Sequence, residues 1–278
     1  MKNISQIKEA PSTESGNTRL NSQKMPPLEE SLGIDWLDFR GLLCPTKIIT
    51  FFDWVADQCD DLIDWETERA CGRYVRFSCG FKSVRGGQYA YELTEGAAHV
   101  WISLPGKALA GCGSTMAQLF VAKACVEQGL SCTRLDVFLD DFGDRLAKIR
   151  SSIERAYDKG QHSGFKKLSK VISRVDWQSL PLETLYLGSR ESASFVRIYD
   201  KSDRTRWERQ TSREISDVVL ADLLRVHEDA RRTSIHLYDR SMADAIKAHL
   251  TNGIDFVRRK DKNLSRSGRC EFWQGFLN

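Results

Sequence analysis

The chain alternates between short segments with a two-residue hydrophobic period and longer segments with apolar residues at helical spacing. Residues 34–40 (IDWLDFR) show the two-residue period and predict a first strand. Its two predicted faces are Ile34, Trp36 and Asp38 on one side, and Asp35, Leu37 and Phe39 on the other. Residues 45–58 carry apolar side chains at helical spacing behind Pro45 and Thr46, and therefore predict an amphipathic helix.

Further runs of β-branched and aromatic residues predict strands that are separated by helices. The predicted strands are 74–79, 88–93, 99–104, 132–140, 172–176, 184–187, 195–199 and 205–210. The later predicted helices are 115–128, 144–159, 217–229 and 241–251, with Gly129 as a left-handed cap after the first of them. Because helices interrupt runs of consecutive strands, the pattern predicts an α+β fold, with helices packed on a mostly antiparallel central sheet.

The distribution of apolar residues divides the chain into three predicted parts. Residues 1–28 are polar with isolated apolar residues, and they bury too little surface to offset the entropy of ordering, so we expect a flexible leader. Residues 29–240 hold most of the periodic segments and are predicted to form the main domain. Residues 241–278 are predicted to be a basic helix and tail.

Charge by itself does not call for a polyanionic partner, because 41 basic residues face 38 acidic ones and the formal net charge is +3. A nucleic-acid site must therefore come from local clustering. The clearest cluster is Arg258, Arg259 and Lys260, close to Phe256 and Trp273. Such a mixture can contact phosphates and stack on bases, although a solvated tail has the same composition.

The eight cysteines include no CxxC pair, and the histidines are not at metal-ligand spacing. No apolar signal region follows the first residues, so free thiols in a reducing cytoplasm are expected rather than disulfides. An uninterrupted apolar run of about 18 residues, which a membrane-spanning helix needs, is also missing from the sequence. These observations predict a soluble intracellular protein without a membrane partner.

One predicted strand carries two carboxylates on the same face. In residues 132–140 the side chains of Arg134, Asp136, Phe138 and Asp140 alternate with an apolar set. Carboxylate oxygens are hard ligands that suit Mg²⁺ or Mn²⁺. The alternative is that Asp140 caps the following helix, while Arg134 pairs with Asp136 on a solvated face.

A second predicted strand repeats the arrangement, with Arg206 two residues before Glu208. If the two strands are neighbours, Asp136 and Glu208 converge with Arg134 and Arg206 beside them. Such a grouping can hold a cation and a phosphodiester together. Surface ion pairs of little energetic value are the alternative.

A third element adds tyrosines to basic residues. Tyr186 ends a predicted strand before a Gly-Ser turn, and the next strand has Arg197, Tyr199 and Lys201 on one face. A tyrosine can attack a phosphodiester and conserve its bond energy as a phosphotyrosyl ester, if a nearby cation such as Arg190 helps the phenol to ionise. Packing in a sheet is the alternative role for any one strand tyrosine.

Taken together, these segments resemble the replication initiation factor family, which includes Rep proteins of small rolling-circle plasmids, nicking relaxases of integrative elements and initiators of filamentous phages. The segments are GIDWL at 33–37, LPGK at 104–107, TRLDV at 133–137, YLGSRES at 186–192, FVRIYDK at 195–201 and TRWE at 205–208. The resemblance runs from about residue 33 to residue 275. Its most specific part is the YLGSR segment with RIYDK behind it.

The resemblance implies a Rep nuclease domain in residues 29–240 that binds a phage or plasmid origin and nicks one strand. The implied products are a 5′-phosphotyrosyl link and a free 3′-hydroxyl, and the strand is rejoined at termination. Origin DNA in double- and single-stranded form, a host helicase and polymerase, and a second copy in a homodimer are the implied partners.

The residue roles that the resemblance implies fall on the three elements described above. Tyr186 is the first candidate for the nucleophile and Tyr199 the second, with Arg190 and Lys201 as catalytic cations. The metal falls on Asp136 and Glu208, with Asp140 or Asp200 as a further ligand. The expected DNA contacts are Arg134, Arg197, Arg206, Arg258, Arg259 and Lys260.

Two other functions are compatible with the same residues. A relaxase for conjugative transfer uses the same chemistry on a different origin, and a repressor could retain the fold without nuclease activity. The chain has no His-hydrophobic-His metal motif, so it differs from the rolling-circle nucleases that carry one. Intact Asp136, Glu208 and Tyr186 argue against a repressor.

Overall fold

The computed structural model describes residues 32–67, 77, 79–141, 151, 155, 168–173, 182–201, 204–212 and 214–252. The predicted leader, the basic end from residue 253, and most of the predicted strand 74–79 lie outside these residues. The predicted helix 144–159 also lies outside them, except at Ser151 and Arg155, which are helical.

In the described part of the chain, a single ten-stranded sheet organises the molecule. Its strands are β1 (Leu32–Leu43), β2 (Ile63–Asp64), β3 (Cys79–Ser83), β4 (Gln88–Thr94), β5 (Ala97–Pro105), β6 (Ser131–Asp141), β7 (Leu168–Ser173), β8 (Leu182–Leu187), β9 (Ser194–Lys201) and β10 (Arg204–Ser212). They lie in the order β2-β3-β4-β5-β1-β6-β10-β9-β8-β7, and neighbouring strands are antiparallel. The predicted α+β class with an antiparallel sheet is confirmed.

The sheet consists of two halves with the same strand order. In the first half, β1 pairs with β5, and β4, β3 and β2 follow outward. In the second half, β6 pairs with β10, and β9, β8 and β7 follow outward. The two halves meet where β1 and β6 pair antiparallel, with Leu37 opposite Leu135. The longest strands therefore lie at the centre, where apolar side chains can be buried most fully.

The described helices are α1 (Ile48–Gln58), α2 (Gly106–Leu109), α3 (Thr115–Glu127), α4 (Glu214–Ala230) and α5 (Ile235–Asn252). The helix α3 begins at Ser114, whose hydroxyl accepts a hydrogen bond from the Ala117 amide, and it ends before Gly129, which has the predicted left-handed backbone. The main core cluster combines apolar residues of the central strands with residues of α1, α3, α4 and α5, including Phe52, Leu119, Leu223 and Ile246.

The last helix extends the core beyond the predicted domain boundary. The boundary between residues 240 and 241 falls inside α5, and Met242, Ile246 and Leu250 on this helix belong to the main core cluster. The strand predicted at 172–176 begins four residues earlier in the structure, where β7 is Leu168–Ser173, and residues 174–176 lie outside the described part of the chain. The strands β1, β4, β5, β6, β8, β9 and β10 begin and end within three residues of the predicted positions. The sequence pattern does not predict β2, and β3 begins only at the last residue of the predicted strand 74–79.

The faces predicted for the first strand are wrong at Ile34 and Asp35. A register shift lies between Ile34 and Trp36, so that Ile34 is opposite Val137 whereas Trp36 is opposite Asp136. Ile34 consequently belongs to the buried core, and Asp35 is the extra residue of a bulge, with its side chain in contact with Arg206. Strict alternation of faces, which the prediction assumed, cannot accommodate an inserted residue.

No single helix among the described residues is long and apolar enough to cross a membrane. A bent pair, Gly106–Cys112 with Thr115–Glu127, meets that requirement by length and composition only, and its two parts differ in direction by 106°.

A close backbone contact requires glycine at position 111. A Cβ atom added to Gly111 would lie 1.7 Å from the carbonyl oxygen of Cys59, which is backbone and cannot rotate away. The contact joins the end of α1 to the turn before α3.

We expect Gly111→Ala to lower the free energy of unfolding by about 3 kcal/mol, because the two backbone segments must separate to admit a methyl group. Urea unfolding followed by circular dichroism measures the change. Ala110→Ser, at the exposed neighbouring position, is the control. Equal stability of Gly111→Ala and the wild-type protein would contradict the described contact.

Candidate active site

Alternation along β6 separates a buried apolar set from a charged set. Leu135, Val137 and Leu139 lie in the main core cluster. Arg134 and Asp136 lie on the opposite face of the sheet, as the sequence predicted. The charged face of β6 is therefore turned away from that core.

The register of β8, β9 and β10 places three predicted site residues in one row across the sheet. Tyr186 on β8 is opposite Arg197 on β9, and Arg197 is opposite Glu208 on β10. Asp136 on β6 is opposite Gln210, one position along the same face from Glu208. The predicted convergence of Asp136 and Glu208 is thus seen in the fold, because β6 and β10 are neighbours.

Both carboxylates of this group are fully buried and both are paired with arginines. Asp136 and Glu208 each have a relative exposure of 0%. Arg134 donates to both oxygens of Asp136, at 3.0 and 2.5 Å. Arg197 donates to Glu208, and its Nη2 atom lies 3.9 Å from Asp136. The Arg197 guanidinium consequently contacts one carboxylate and approaches the other.

The pKa values of Asp136 and Arg197 are both shifted by burial and by the neighbouring charges. Burial raises the pKa of Asp136 to about 7; the charge of Glu208 acts in the same direction, whereas Arg134 and Arg197 oppose it. Burial would lower the pKa of Arg197, but the hydrogen bond to Glu208 and the charge of that carboxylate raise it overall. Positive charge beside the two carboxylates is therefore strongly stabilised.

The two candidate tyrosines have different surroundings. The Tyr199 hydroxyl donates to Glu208 at 3.0 Å, and burial, followed by the charge of Glu208, raises the pKa of this phenol. The Tyr186 hydroxyl accepts a hydrogen bond from Arg190, whose guanidinium also lies 4.3 Å from the Tyr186 ring centre. Tyr186 thus has a cation at its oxygen, whereas Tyr199 has a carboxylate.

Arg206 is part of a separate ionic group at the edge of the site. It binds Asp140 through two nitrogens, at 2.5 and 2.7 Å, and donates to Asp35 at 2.8 Å. Arg204 also lies 3.1 Å from Asp140. Because Arg206 is only 6% exposed and is held by two carboxylates, the structure does not support the prediction that it contacts DNA. Both oxygens of Asp140 are thus already paired with arginines.

Asp35 belongs to this edge group, and sequence reasoning missed it. Burial and the charge of Glu208 raise the pKa of Asp35, whereas the charge of Arg206 lowers it. Its carboxylate lies against Gly106 at the start of α2, where a Cβ atom would be 2.6 Å away. The bulge in β1 turns the Asp35 side chain toward the site. The alternating sequence pattern of this strand contains no sign of a bulge, so the pattern could not predict this position.

The remaining predicted residues are distributed around the two groups. Lys201 lies 6.0 Å from the Tyr199 ring centre, and burial followed by the charge of Arg206 lowers its pKa. Arg134 stacks 4.1 Å above the Trp36 ring centre. Arg258, Arg259 and Lys260 lie outside the described residues, and the Asp200 side chain is not described either.

The donor set can be tested against the predicted divalent metal. Asp136 and Glu208 offer hard oxygens of the kind that divalent cations prefer. Burial is the main cause of the raised pKa of Asp136, and the charge of Glu208 adds to it, so nearby positive charge stabilises the ionised pair. Among the described side chains, no group of three Asp, Glu, His or Cys residues is arranged to hold a metal ion. The oxygens of Asp136 and Glu208 therefore suit a divalent cation, and the further ligand, Asp140 or Asp200, stays a prediction.

The first half of the sheet does not repeat the carboxylate pair. The strand β5 pairs with β1 as β10 pairs with β6, but residues 97–105 of β5 contain no Asp or Glu. Asp38 on β1 is opposite Ser103, and Trp101, two residues before Ser103, is opposite Ala90.

Comparison with known proteins finds a family model that matches the second half of the chain and a solved structure that is similar in fold. The family model described as "Replication initiation factor" matches residues 130–278. A solved structure of a rolling circle replication initiator protein from Geobacillus stearothermophilus is 20% identical, with 89% of this chain and 95% of that chain covered and a TM-score of 0.59. At this identity the likeness concerns the fold.

A second solved structure, DynU16 from the dynemicin biosynthetic locus, is 8% identical, with 78% of this chain and 97% of that chain covered and a TM-score of 0.19, which is too low to indicate a common fold. No curated protein matches the sequence significantly.

The pKa of Asp136 makes stability depend on pH. An ordinary aspartate has a pKa near 3.9, so the folded state holds its proton more tightly than the unfolded chain. This contribution is fully present below about pH 4 and is lost as the pH rises through about 7. We expect Asp136→Asn, which cannot ionise, to gain roughly 2 to 3 kcal/mol relative to the wild-type protein between pH 5 and pH 8.

Urea unfolding of both proteins at the two pH values, in buffer with a chelator, measures this difference. Asp239→Asn changes an exposed aspartate of α5 in the same way and serves as the control. An equal gain in the control would contradict the assignment to Asp136.

Proposed function

The chain belongs to the replication initiation factor family, and on this premise we propose that it initiates rolling-circle replication by nicking one strand of an origin through Tyr186. On this proposal the substrate is origin DNA, and the nicked strand carries the protein on its 5′-phosphate. The free 3′-hydroxyl then primes a host polymerase while a host helicase separates the strands. The same tyrosyl link permits rejoining at termination.

One observation carries the proposal: the row Tyr186, Arg197 and Glu208, with Asp136 beside it, lies within the residues that the family model matches. A nucleophile, a guanidinium and two carboxylates are the groups that a metal-assisted phosphoryl transfer requires. The row also lies on a rigid sheet, which holds such groups in a fixed relative position.

The surroundings of the two tyrosines support Tyr186 as the nucleophile. Its oxygen attacks phosphorus, the bond to the 3′-oxygen breaks, and the phenolic proton and the proton of the new 3′-hydroxyl are exchanged with solvent. Arg190 donates to the Tyr186 oxygen, so positive charge stands next to the attacking atom. The hydroxyl of Tyr199 is instead held by Glu208, and its raised pKa disfavours the phenolate.

Asp136 and Glu208 are the residues that would hold the Mg²⁺ or Mn²⁺ of this reaction. Such a cation offsets the charge that develops on the phosphate oxygens. Arg197, which contacts Glu208 and lies near Asp136, is placed to pair with the same phosphate. The partly exposed Arg134 guanidinium, stacked on Trp36, is a second group that can contact the DNA backbone.

We expect the wild-type protein to nick supercoiled origin DNA in the presence of Mn²⁺ or Mg²⁺ and to remain covalently attached to it. Tyr186→Phe should abolish the adduct, because it removes the attacking oxygen and leaves the ring in place. A chelator should abolish the nick as well. Denaturing electrophoresis of labelled DNA measures both products.

Two further variants test whether Tyr186 specifically is the nucleophile. Tyr91→Phe removes a hydroxyl from β4 in the other half of the sheet, and it should leave the adduct unchanged. An adduct that persists in Tyr186→Phe but disappears in Tyr199→Phe would transfer the nucleophile to Tyr199. DNA binding without nicking by the wild-type protein would indicate a repressor instead of an initiator.

DNA binding should weaken steeply with salt, because each phosphate contact releases counterions. Replacing Arg258, Arg259 and Lys260 with alanine should reduce the slope of log K against log salt by about 2 to 3. Fluorescence anisotropy with labelled DNA between low and moderate salt measures the slope. The control replaces three exposed arginines of α4, α5 and their connection, Arg225, Arg232 and Arg240. An unchanged slope in the first variant would show that the basic end does not contact phosphates.

A further inference from the structure

Two cysteines from distant parts of the sequence meet on the first half of the molecule. The Sγ atoms of Cys59 and Cys112 lie 3.4 Å apart, although 53 residues separate them in the chain. Cys59 follows the last residue of α1, and Cys112 ends the short turn that precedes α3. The main chains already touch, because Gly111 is packed against the Cys59 carbonyl group.

The two thiols differ in accessibility. Cys59 is fully buried, with a relative exposure of 0%, whereas Cys112 is partly exposed. A reagent from solvent can therefore reach the Cys112 thiol, whereas the Cys59 thiol is inaccessible to it. The Cys59 thiol, 3.4 Å away, is then in contact with the group that forms on Cys112.

We propose that Cys59 and Cys112 form a redox modification site that closes to an intramolecular disulfide on reaction with a small-molecule disulfide such as glutathione disulfide. This proposal concerns a different part of the sheet from the paired carboxylates, and it stands independently of the nicking reaction.

The reaction takes place in two exchange steps. The Cys112 thiolate attacks one sulfur of glutathione disulfide, which forms a mixed disulfide and releases one glutathione thiolate. The Cys59 thiol then gives up its proton and attacks the Cys112 sulfur, which releases the second glutathione. The protein loses two hydrogens, and two molecules of glutathione carry them, so electrons and protons balance.

The environment of the pair agrees with this order of events. A thiolate on Cys112 accepts a hydrogen bond from the Cys59 thiol, which lowers the pKa of Cys112. The same hydrogen bond, together with burial, raises the pKa of Cys59. The accessible thiol is thus the better nucleophile, and the buried one acts as the resolving thiol.

Closure would add a covalent link where the fold already has a tight contact. The disulfide would join the end of α1 to the start of α3 and enclose the strands β2 to β5 in one loop. A crosslink of this kind restricts the unfolded chain more than the folded one. The oxidised protein should therefore melt at a higher temperature than the reduced protein.

Peptide mapping of the full-length wild-type protein tests the site directly. The reduced protein is incubated with glutathione disulfide, denatured in N-ethylmaleimide and digested with trypsin. Cleavage after Lys47, Arg69, Lys107 and Lys123 places Cys59 alone in residues 48–69 and Cys112 alone in residues 108–123. We expect the disulfide-linked pair of these two peptides as the first intramolecular product, with a mass about 2 Da below the sum of the thiols.

Three variants separate the roles of the thiols. Cys59→Ser should leave glutathione on Cys112, because the resolving thiol is missing. Cys112→Ser should leave Cys59 fully alkylated by the maleimide. Cys79→Ser, which removes a partly exposed cysteine outside the pair, should retain both the linked peptides and the rise in melting temperature.

The proposal is overturned if the exposed Cys44 acquires glutathione while peptides 48–69 and 108–123 of the wild-type protein remain alkylated. It is equally overturned if the wild-type reaction stops at a mixed disulfide on Cys112. The mapping of the wild-type chain needs no variant, so a variant that fails to fold does not affect the outcome.

Discussion

Two fully buried carboxylates, Asp136 and Glu208, are the constraint on which the second half of the sheet depends. A buried charge without a partner costs several kcal/mol, so each carboxylate needs its arginine in place. Arg134 is on the same strand as Asp136, but the partner of Glu208 comes from β9. The register of β6, β10 and β9 is consequently fixed by these ion pairs as well as by apolar packing.

The second half of the sheet was largely predictable because its strands follow a strict two-residue period. In β6 and β9 the alternation assigns the charged residues to one face and the apolar residues to the core, and the register confirms the placement of Asp136, Arg197 and Tyr199. The resemblance to the replication initiation factor family, based on the segments around Tyr186 and Glu208, is confirmed by the family model.

Other features could not be read from local pattern. The bulge at Asp35 depends on how β1 meets β6, and an alternation template contains no inserted residue. The engagement of Asp140 by Arg206 depends on the register of β6 and β10, which a single strand does not determine. The contact of Cys59 with Cys112 requires the full path from α1 to α3, and its spacing of 53 residues matches no sequence motif.

The strand order also determines when the site can exist during synthesis. The first half, from β1 to β5, can pair as soon as it leaves the ribosome, because each of its strands neighbours another of the same half. The strand β6 then remains an open edge on one side until β10, which ends at Ser212, has been made. A nascent chain therefore contains Asp136 long before Glu208 joins it. The paired carboxylates appear only when the last strand is added, so a prematurely terminated chain lacks the complete centre.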